Sequence, residues 1–265
     1  MKKIIAANWK DNGSKKFIKE YFEYFHKNLN TENEIIIFPP DLYIDYVNQF
    51  ACKNNYNVAT GNNNFCVGSQ KGNLFNTNSS QTSFTSGNNV NMFLDNGCSY
   101  ILYGHSEVRS TWCQYSDGSI GESLFRYINN NLQVIFCVGE SEEEKIKGKT
   151  QSRLSTQLDD LCDKNNYNCS VEIETAIIAY EPVWAIGTGN TPKLDDISFI
   201  LRFIKTYVSE NHPFLKEKDI MVLYGGSVNS KNAKDILSAP YVDGVLIGGA
   251  SLDVKEFTKI CNLKI

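Results

Sequence analysis

The chain has 265 residues, of which 42% are hydrophobic and 21% charged, and its formal net charge is −4. This composition is typical of a globular protein and excludes collagen-like, coiled-coil and intrinsically disordered chains. An acidic balance also argues against a general attraction to nucleic acid or to an anionic membrane, so neither is expected as a partner. An anionic substrate would have to be held by local groups.

Neither the apolar runs nor the amino terminus predicts a membrane span or an export signal. The longest runs, such as residues 35–38 and 245–247, are far shorter than the ~18 residues that a transmembrane helix requires. Asn8 and Lys10 interrupt the first apolar stretch too early for a secretory signal. The eight cysteines are scattered without a Cys-x-x-Cys pair, which favours reduced thiols. We therefore expect a soluble, cytoplasmic protein, with an organelle reached through a removable transit peptide as the alternative.

Short apolar, β-branched runs recur along the whole chain, and segments long enough for a helix separate them. They predict eight strands, at residues 3–7, 34–38, 56–60, 100–103, 133–138, 176–180, 220–224 and 244–247. Residues 16–22 and 195–204 between them have helical spacing, with charges on one side. Alternating strands and helices require parallel strands with crossover helices, and strands this apolar must be covered on both faces.

Eight evenly distributed repeats favour a closed (β/α)8 barrel over an open doubly wound sheet, because no Gly-x-Gly-x-x-Gly follows the first strand. Barrels of about 250 residues are commonly one domain, so residues 1–265 are predicted to form a single domain. Two stretches interrupt the rhythm. Residues 61–89, rich in Asn, Ser, Thr and Gly, predict a long surface loop after the third strand, and residues 140–149 predict a charged helix start.

Polar residues follow five of the predicted strands, at the ends where a barrel of this kind builds its active site. These segments are Asn8-Trp9-Lys10, Gly104-His105-Ser106-Glu107, Tyr180 to Gly189, Tyr224 to Val228 and Ile247 to Ser251. Lys10 could serve as a fixed cation, and His105 precedes a predicted helix whose dipole favours the neutral imidazole. Taken singly, a lysine such as Lys10 is more often a surface residue and a histidine such as His105 is usually structural, whereas Glu181 could equally be a helix-terminal carboxylate.

Two glycine pairs, Gly225-Gly226 and Gly248-Gly249, stand at the turns after the last two strands. Glycine lets the backbone approach a ligand closely, and these two turns form the common phosphate site of the fold. Either pair alone could be an ordinary turn. Both together favour an anion site built from backbone N–H groups.

With these residues in view, the chain resembles the triosephosphate isomerases over its whole length. The matching motifs occur in order: Asn8-Trp9-Lys10, Gly104-His105-Ser106-Glu107, Cys137-Val138-Gly139-Glu140, Ala179 to Gly189, Tyr224 to Val228 and Gly244 to Leu252. The motif at strand six is long enough to be nearly diagnostic by itself.

The resemblance implies a TIM barrel that interconverts dihydroxyacetone phosphate and D-glyceraldehyde 3-phosphate, a step of glycolysis and gluconeogenesis, without metal or organic cofactor. It implies that Glu181 is the base, that His105 is the neutral electrophile, and that Asn8 and Lys10 position the substrate and stabilise charge. The residues implied to bind phosphate through backbone N–H groups are Gly187, Ser227, Gly248 and Gly249. The implied lid consists of Pro182, Val183, Trp184, Ala185, Ile186, Gly187, Thr188 and Gly189.

Several positions depart from the family pattern. Asn190 stands where a lysine is common, and Pro192 occupies the far hinge of the lid, where it has no N–H to donate. A closing hydrogen bond from Tyr224 is therefore expected to be missing or replaced. Gly87 and Val108 occupy positions where an acidic and a basic residue often pair across the family's dimer.

The family's dimers insert the loop after strand three into the neighbouring subunit, and Thr85 matches the threonine at the tip of that loop. The resemblance thus implies a homodimer. Because the stretch from Asn62 to Thr85 is longer than the family norm, the interface is expected to be remodelled around residues 62–89.

Two alternatives stay open on the sequence. Another phosphate-binding barrel enzyme, such as a Schiff-base aldolase, would need a buried lysine on a later strand, and only the first predicted strand ends in a lysine of this kind. A catalytically silent scaffold is the other, and the intact set of Asn8, Lys10, His105 and Glu181 argues against it.

Overall fold

The computed structural model describes residues 2–53, 65–72, 87–111, 124, 127–162, 174–212 and 214–265. Eight strands close into one barrel in chain order. They are β1 (Ile4–Asn8), β2 (Glu34–Phe38), β3 (Phe65–Ser69), β4 (Tyr100–Tyr103), β5 (Gln133–Val138), β6 (Ala176–Tyr180), β7 (Ile220–Tyr224) and β8 (Gly244–Ile247). All pairs are parallel, and β8 closes onto β1 with Ile4 opposite Gly244. The predicted (β/α)8 fold is confirmed.

Helices alternate with the strands on the outside of the barrel. They are α1 (Lys15–Asn28), α2 (Ile44–Lys53), α3 (Val90–Asp95), α4 (Ser106–Thr111), α5 (Glu142–Ile146), α6 (Thr150–Cys162), α7 (Leu194–Asn211), α8 (Ala233–Ser238) and α9 (Val254–Cys261). Local sequence fixes several starts: the Ser14 hydroxyl accepts the Phe17 N–H, and Ser141 and Glu144 form a reciprocal capping box. Within the described ranges, no helix is both long and apolar enough to cross a membrane.

Strand side chains alternate between two apolar cores. One core joins the strands to the helices, whereas the other consists of strand residues that fill the barrel, among them Ala6 of β1 and Ala179 of β6. Because side chains alternate along a strand, the residues two positions further on, Asn8 and Glu181, face the mouth of the barrel. The register of the strands thus positions the site.

The third strand differs from the sequence prediction. It is Phe65–Ser69, so the prediction of a loop across residues 61–89 is wrong at these five residues, and the strand predicted at 56–60 lies outside the described residues. A Cβ at Gly68 would overlap the Phe38 ring, so packing requires glycine at this position. Because glycine has no side chain, the apolar pattern of the strand is weaker in the sequence. The connection that follows this strand therefore begins at Gln70.

The cysteines that the structure describes are free. These are Cys66, Cys98, Cys137, Cys162 and Cys261, in agreement with the reduced thiols expected from their spacing. The side chains of Cys52, Cys113 and Cys169 lie outside the described part of the chain.

Candidate active site

The polar residues that follow separate strands meet in one cavity at the carboxyl end of the barrel. Its volume is about 260 Å³. Every residue predicted to bind or convert substrate lines it, namely Asn8, Lys10, His105, Glu181, Gly187, Ser227, Gly248 and Gly249. Closure of the barrel thus brings together residues that lie between positions 8 and 249 of the chain.

Glu181 and His105 form the buried centre of this cavity, with 2% and 5% of their surfaces exposed. Glu181 Oε1 lies 3.0 Å from His105 Nε2, and its Oε2 accepts the Ser106 N–H at 3.1 Å. Burial alone would raise the pKa of Glu181, but the imidazole and the Ser106 N–H more than offset burial and hold that pKa below its usual value. The carboxyl group is therefore ionised at neutral pH, as a base must be.

His105 directly precedes α4, as predicted. Its Nδ1 accepts the Glu107 N–H at 3.2 Å, which requires a lone pair on that nitrogen. A ring that makes this bond carries its hydrogen on Nε2 and is neutral. Burial lowers the pKa of His105, but the adjoining Glu181 carboxylate outweighs burial and raises that pKa overall. A substrate lying between the two side chains would separate them and remove this effect.

The Lys10 backbone is held in an uncommon conformation, with φ at +51°. The Asn8 side-chain oxygen accepts the Lys10 N–H at 3.0 Å, and Gln70 Nε2 donates to the Lys10 carbonyl at 2.7 Å. At the other end of the residue, the ammonium group pairs with Glu107. A cation is thus anchored at both its backbone and its tip beside His105.

Arg109 fixes the turn that carries His105. Its Nε donates to the Gly104 carbonyl at 2.7 Å, and its Nη2 donates to the Cys137 carbonyl of β5 at 3.1 Å. These two bonds tie the end of β4 to the neighbouring strand, which limits the movement of the imidazole.

The segment predicted to be the lid, residues 182–189, is attached to the barrel near its amino-terminal end. Glu140 Oε1 accepts hydrogen bonds from Trp184 Nε1 at 2.8 Å and from the Tyr180 hydroxyl at 3.1 Å. The Lys145 ammonium group lies 3.1 Å from the centre of the Trp184 ring, close enough for a cation–π contact. Burial raises the pKa of Glu140, and these donors oppose that rise.

Ser227 attaches the other end of the lid. Its hydroxyl donates to the Ala185 carbonyl at 2.7 Å and accepts the Gly189 N–H at 3.2 Å. Gly187 and Gly189 have φ values of +69° and +78°, a region that favours glycine. The lid conformation therefore depends on glycine at these two positions and on one serine side chain.

The two glycine pairs turn out to serve different purposes. A Cβ at Gly225 would crowd Glu181, and one at Gly226 would overlap the Tyr224 hydroxyl, so this pair makes room for neighbouring protein groups. Gly249 faces open space, and the nearest atom to a Cβ at Gly248 is Lys10 Cε at 3.4 Å. The second pair is the one that leaves its backbone open to a ligand.

The hydrogen bond expected to be missing or replaced at the far hinge of the predicted lid concerns Pro192 and Tyr224. Pro192 has no N–H, and the buried Tyr224 hydroxyl has no hydrogen-bond partner within the described ranges. Thr191 Oγ1 instead contacts the Ser227 carbonyl at 3.4 Å.

Several residues near the site were not assigned a role from the sequence, among them Gln70, Glu107, Arg109 and Glu140. Gln70 was missed because the third strand was misplaced, although it directly follows the true β3. Glu107 and Glu140 lie inside the matched motifs. Their contacts, Glu107 with Lys10 and Glu140 with Trp184, form only when the chain is folded, so the sequence did not show them.

Comparison with known proteins agrees with this geometry. The sequence model of the family described as "Triosephosphate isomerase" matches residues 3–264. The chain is 35% identical to the "Triosephosphate isomerase" of Shewanella piezotolerans (strain WP3 / JCM 13877), covering 98% of this chain and 96% of that protein. The same values hold for the proteins of that description from Shewanella pealeana and Shewanella amazonensis. The chain therefore belongs to the triosephosphate isomerase family.

Proposed function

We propose that Glu181, His105 and Lys10 carry out the reaction of this family member in the cavity described above. The chain interconverts dihydroxyacetone phosphate and D-glyceraldehyde 3-phosphate. The observation that carries the assignment is the convergence of an ionised carboxylate, an imidazole with hydrogen on Nε2 and a fixed ammonium group in one buried cavity.

The isomerisation needs a base and oxyanion stabilisers near adjacent carbons. Glu181 takes a proton from the carbon next to the carbonyl, which leaves an enediolate. His105 donates its Nε2 hydrogen to the developing oxyanion, and the Lys10 cation stabilises the negative charge. Glu181 then returns its proton to the neighbouring carbon while His105 retrieves a hydrogen from the other oxygen, so both residues end in their starting states.

The phosphate group is assigned to the backbone N–H groups of the lid and of the last two turns. The proposed donors are Gly187, Ser227, Gly248 and Gly249, all at the same cavity. Backbone donors with a positive partial charge bind an anion without requiring an overall basic protein. Asn8 completes the site by orienting the Lys10 backbone and contacting the substrate.

The segment from Pro182 to Gly189 is proposed to close over the bound substrate. An enediolate exposed to water would eliminate phosphate, so the site gains from excluding water during the reaction. The contacts of Trp184 and Ser227 support a segment that is anchored to the barrel near both ends.

We further propose a single domain over residues 1–265 that assembles as a homodimer with a remodelled interface at residues 62–89. A second depression of about 650 Å³ joins Lys10 to Pro40, Leu42 and Val108, and Leu42 is 91% exposed beside it. The proposed partner would cover this depression together with the Leu42 side chain. Thr85 and residues 73–86 lie outside the described part, and the cytoplasmic location stays a prediction.

Replacement of Glu181 by Gln tests the assignment of the base. The amide keeps the shape of the side chain but cannot accept the proton, so we expect kcat to fall by at least ~10²-fold with a smaller change in KM. Glu210→Gln, at an exposed position on α7, is the matched control and should leave both parameters unchanged. A variant at position 181 with nearly normal kcat in a coupled assay would overturn the mechanism.

A further inference from the structure

Asp41 stands outside the catalytic cavity but is connected to it through hydrogen bonds. It begins the short 3-10 helix Asp41–Tyr43 after β2. Its Oδ1 accepts the Ser69 hydroxyl at 2.8 Å, and its Oδ2 accepts Asn88 Nδ2 at 3.0 Å. One carboxylate therefore binds residues on both sides of the segment 70–87.

Ser69 passes this restraint to the turn that carries Gln70. The Ser69 hydroxyl has a single hydrogen, and the charged carboxylate is a stronger acceptor than the Lys71 carbonyl, which lies 2.9 Å away. With its hydrogen given to Asp41, the hydroxyl oxygen is free to accept the Lys71 N–H at 3.4 Å. The turn from Ser69 to Lys71 is thereby fixed around Gln70.

Gln70 in turn holds the backbone of Lys10. Its Nε2 donates both hydrogens, one to the Lys10 carbonyl at 2.7 Å and one to the Phe38 carbonyl at 2.9 Å. The second contact ties the side chain to the end of β2, so Gln70 is anchored as well as bound to Lys10. A residue with a left-handed backbone needs such restraints, because that conformation is disfavoured for a side chain with a Cβ.

We propose that Asp41 is a positioning residue for the isomerisation. It acts through Ser69 and Gln70 on the Lys10 backbone, and so keeps the ammonium group at the cavity without touching substrate itself. The inference rests on the proposed role of Lys10. Burial raises the pKa of Asp41, and the hydrogen bonds that it accepts from Ser69 and Asn88 oppose that rise.

The first test compares Asp41→Ala with Asp41→Asn and with the control Asp45→Ala. Asp45 is an exposed carboxylate on α2 that accepts Gln49 Nε2 at 2.9 Å. A misplaced cation weakens both binding and charge stabilisation, so Asp41→Ala should lower kcat/KM by about tenfold with part of the loss in KM. Asparagine can accept the Ser69 hydroxyl, and the Asn88 amide can turn to match it, so Asp41→Asn should restore activity to within about threefold of the original chain. Equal activities of the alanine variants at 41 and 45 would overturn the proposal.

A double-mutant cycle tests the route of the effect. If Asp41 acts through Gln70, the variant with both Asp41→Ala and Gln70→Ala should be no less active than Gln70→Ala alone. Additive losses would contradict this route. Ser69→Ala breaks the same connection with a smaller change, and it replaces Asp41→Ala in the cycle if that variant does not fold.

Two further measurements distinguish the positioning role of Asp41 from a role in assembly and from a failure of the role proposed for Lys10. Asp41 lines the depression assigned to the partner subunit, so activity is measured over a range of protein concentration. Recovery of Asp41→Ala at high concentration would assign Asp41 to assembly and overturn the positioning role. Lys10→Met is the reference: if it is fully active, the proposed role of Lys10 fails, whereas an inactive Lys10→Met beside a normal Asp41→Ala rejects only the present proposal.

Discussion

Glu181 and His105 illustrate how two buried titratable groups set each other's charge. Burial by itself favours the neutral carboxylic acid, and the imidazole and the Ser106 N–H reverse that preference. A substrate that enters between Glu181 and His105 replaces their mutual contact with contacts to its own carbons and oxygens. The two groups proposed to transfer protons are therefore already at hydrogen-bond distance from each other before substrate arrives.

At the hinge, Tyr224→Phe is expected to have a small effect. The Tyr224 hydroxyl is buried without a hydrogen-bond partner in the described part of the chain, and Pro192 has no N–H to offer when the lid moves. Its removal should change kcat/KM by less than ~1.5 kcal/mol, about the value of one net hydrogen bond. Tyr180→Phe is the comparison, because the Tyr180 hydroxyl donates to Glu140 at 3.1 Å. Loss of this bond should lower the free energy of unfolding more than Tyr224→Phe does. A several-hundred-fold loss at position 224 would show a partner for Tyr224 in the closed state.

Residues were predictable where their position along a strand decides their role. Asn8 and Glu181 stand two positions beyond side chains that fill the barrel, so the apolar pattern alone directs them to the mouth. The pairing of Glu107 with Lys10 could not be predicted, since the two residues come from different strands and meet through long side chains.

At the scale of elements, the segment proposed to close as a lid, residues 182–189, is attached at two points of different chemistry. Its beginning is held by an indole N–H on a buried carboxylate, and its end is held by the hydroxyl of Ser227. The Ser227 bonds connect this segment to the turn after β7. They therefore restrain the position of the segment over the cavity and contribute little to holding the barrel together.

Ser227→Ala is expected to impair catalysis more than folding. It removes the bonds to the Ala185 carbonyl and the Gly189 N–H but keeps the backbone N–H proposed for phosphate. At ~1 kcal/mol for each net hydrogen bond, kcat/KM should fall by about thirtyfold, with little change in the temperature of unfolding. Ser209→Ala, which removes one hydroxyl bond to the Thr206 carbonyl on α7, should leave the kinetics unchanged. Unaltered kinetics of Ser227→Ala would mean that these bonds do not control the lid.

Seven of the eight strands could be located from apolar runs to within one residue at each end. These strands are buried on both faces and read as continuous β-branched and aliphatic sequence. β3 lacks this pattern because two of its five positions are not apolar. Gly68 leaves room for the Phe38 ring, and the Ser69 hydroxyl donates a hydrogen bond to Asp41. The error then extended to Gln70, since a residue can be assigned to a strand end only when the strand is known.

At the scale of the whole molecule, closure of the barrel brings the ends of β1, β4 and β6 around one cavity and adds the turns after β7 and β8. The case for a second subunit rests on the neighbouring depression and on the exposed Leu42. Gln70 of the same chain already donates a hydrogen bond to the Lys10 carbonyl. We expect a partner instead to cover apolar surface beside the site and to exclude water from it.

The proposed homodimer is expected to respond only weakly to salt. Gly87 and Val108 carry no charge, so the proposed interface would lack the ion pair that the sequence resemblance implies for these two positions. Salt screens charged contacts and leaves apolar ones largely intact, so we expect a homodimer whose dissociation constant changes little between low and high salt. Sedimentation equilibrium at both salt concentrations measures the association, with activity followed in parallel. An active monomer at micromolar concentration would contradict the dimer, and strong weakening of the dimer by salt would show that other charges in the interface have taken the place of the missing pair.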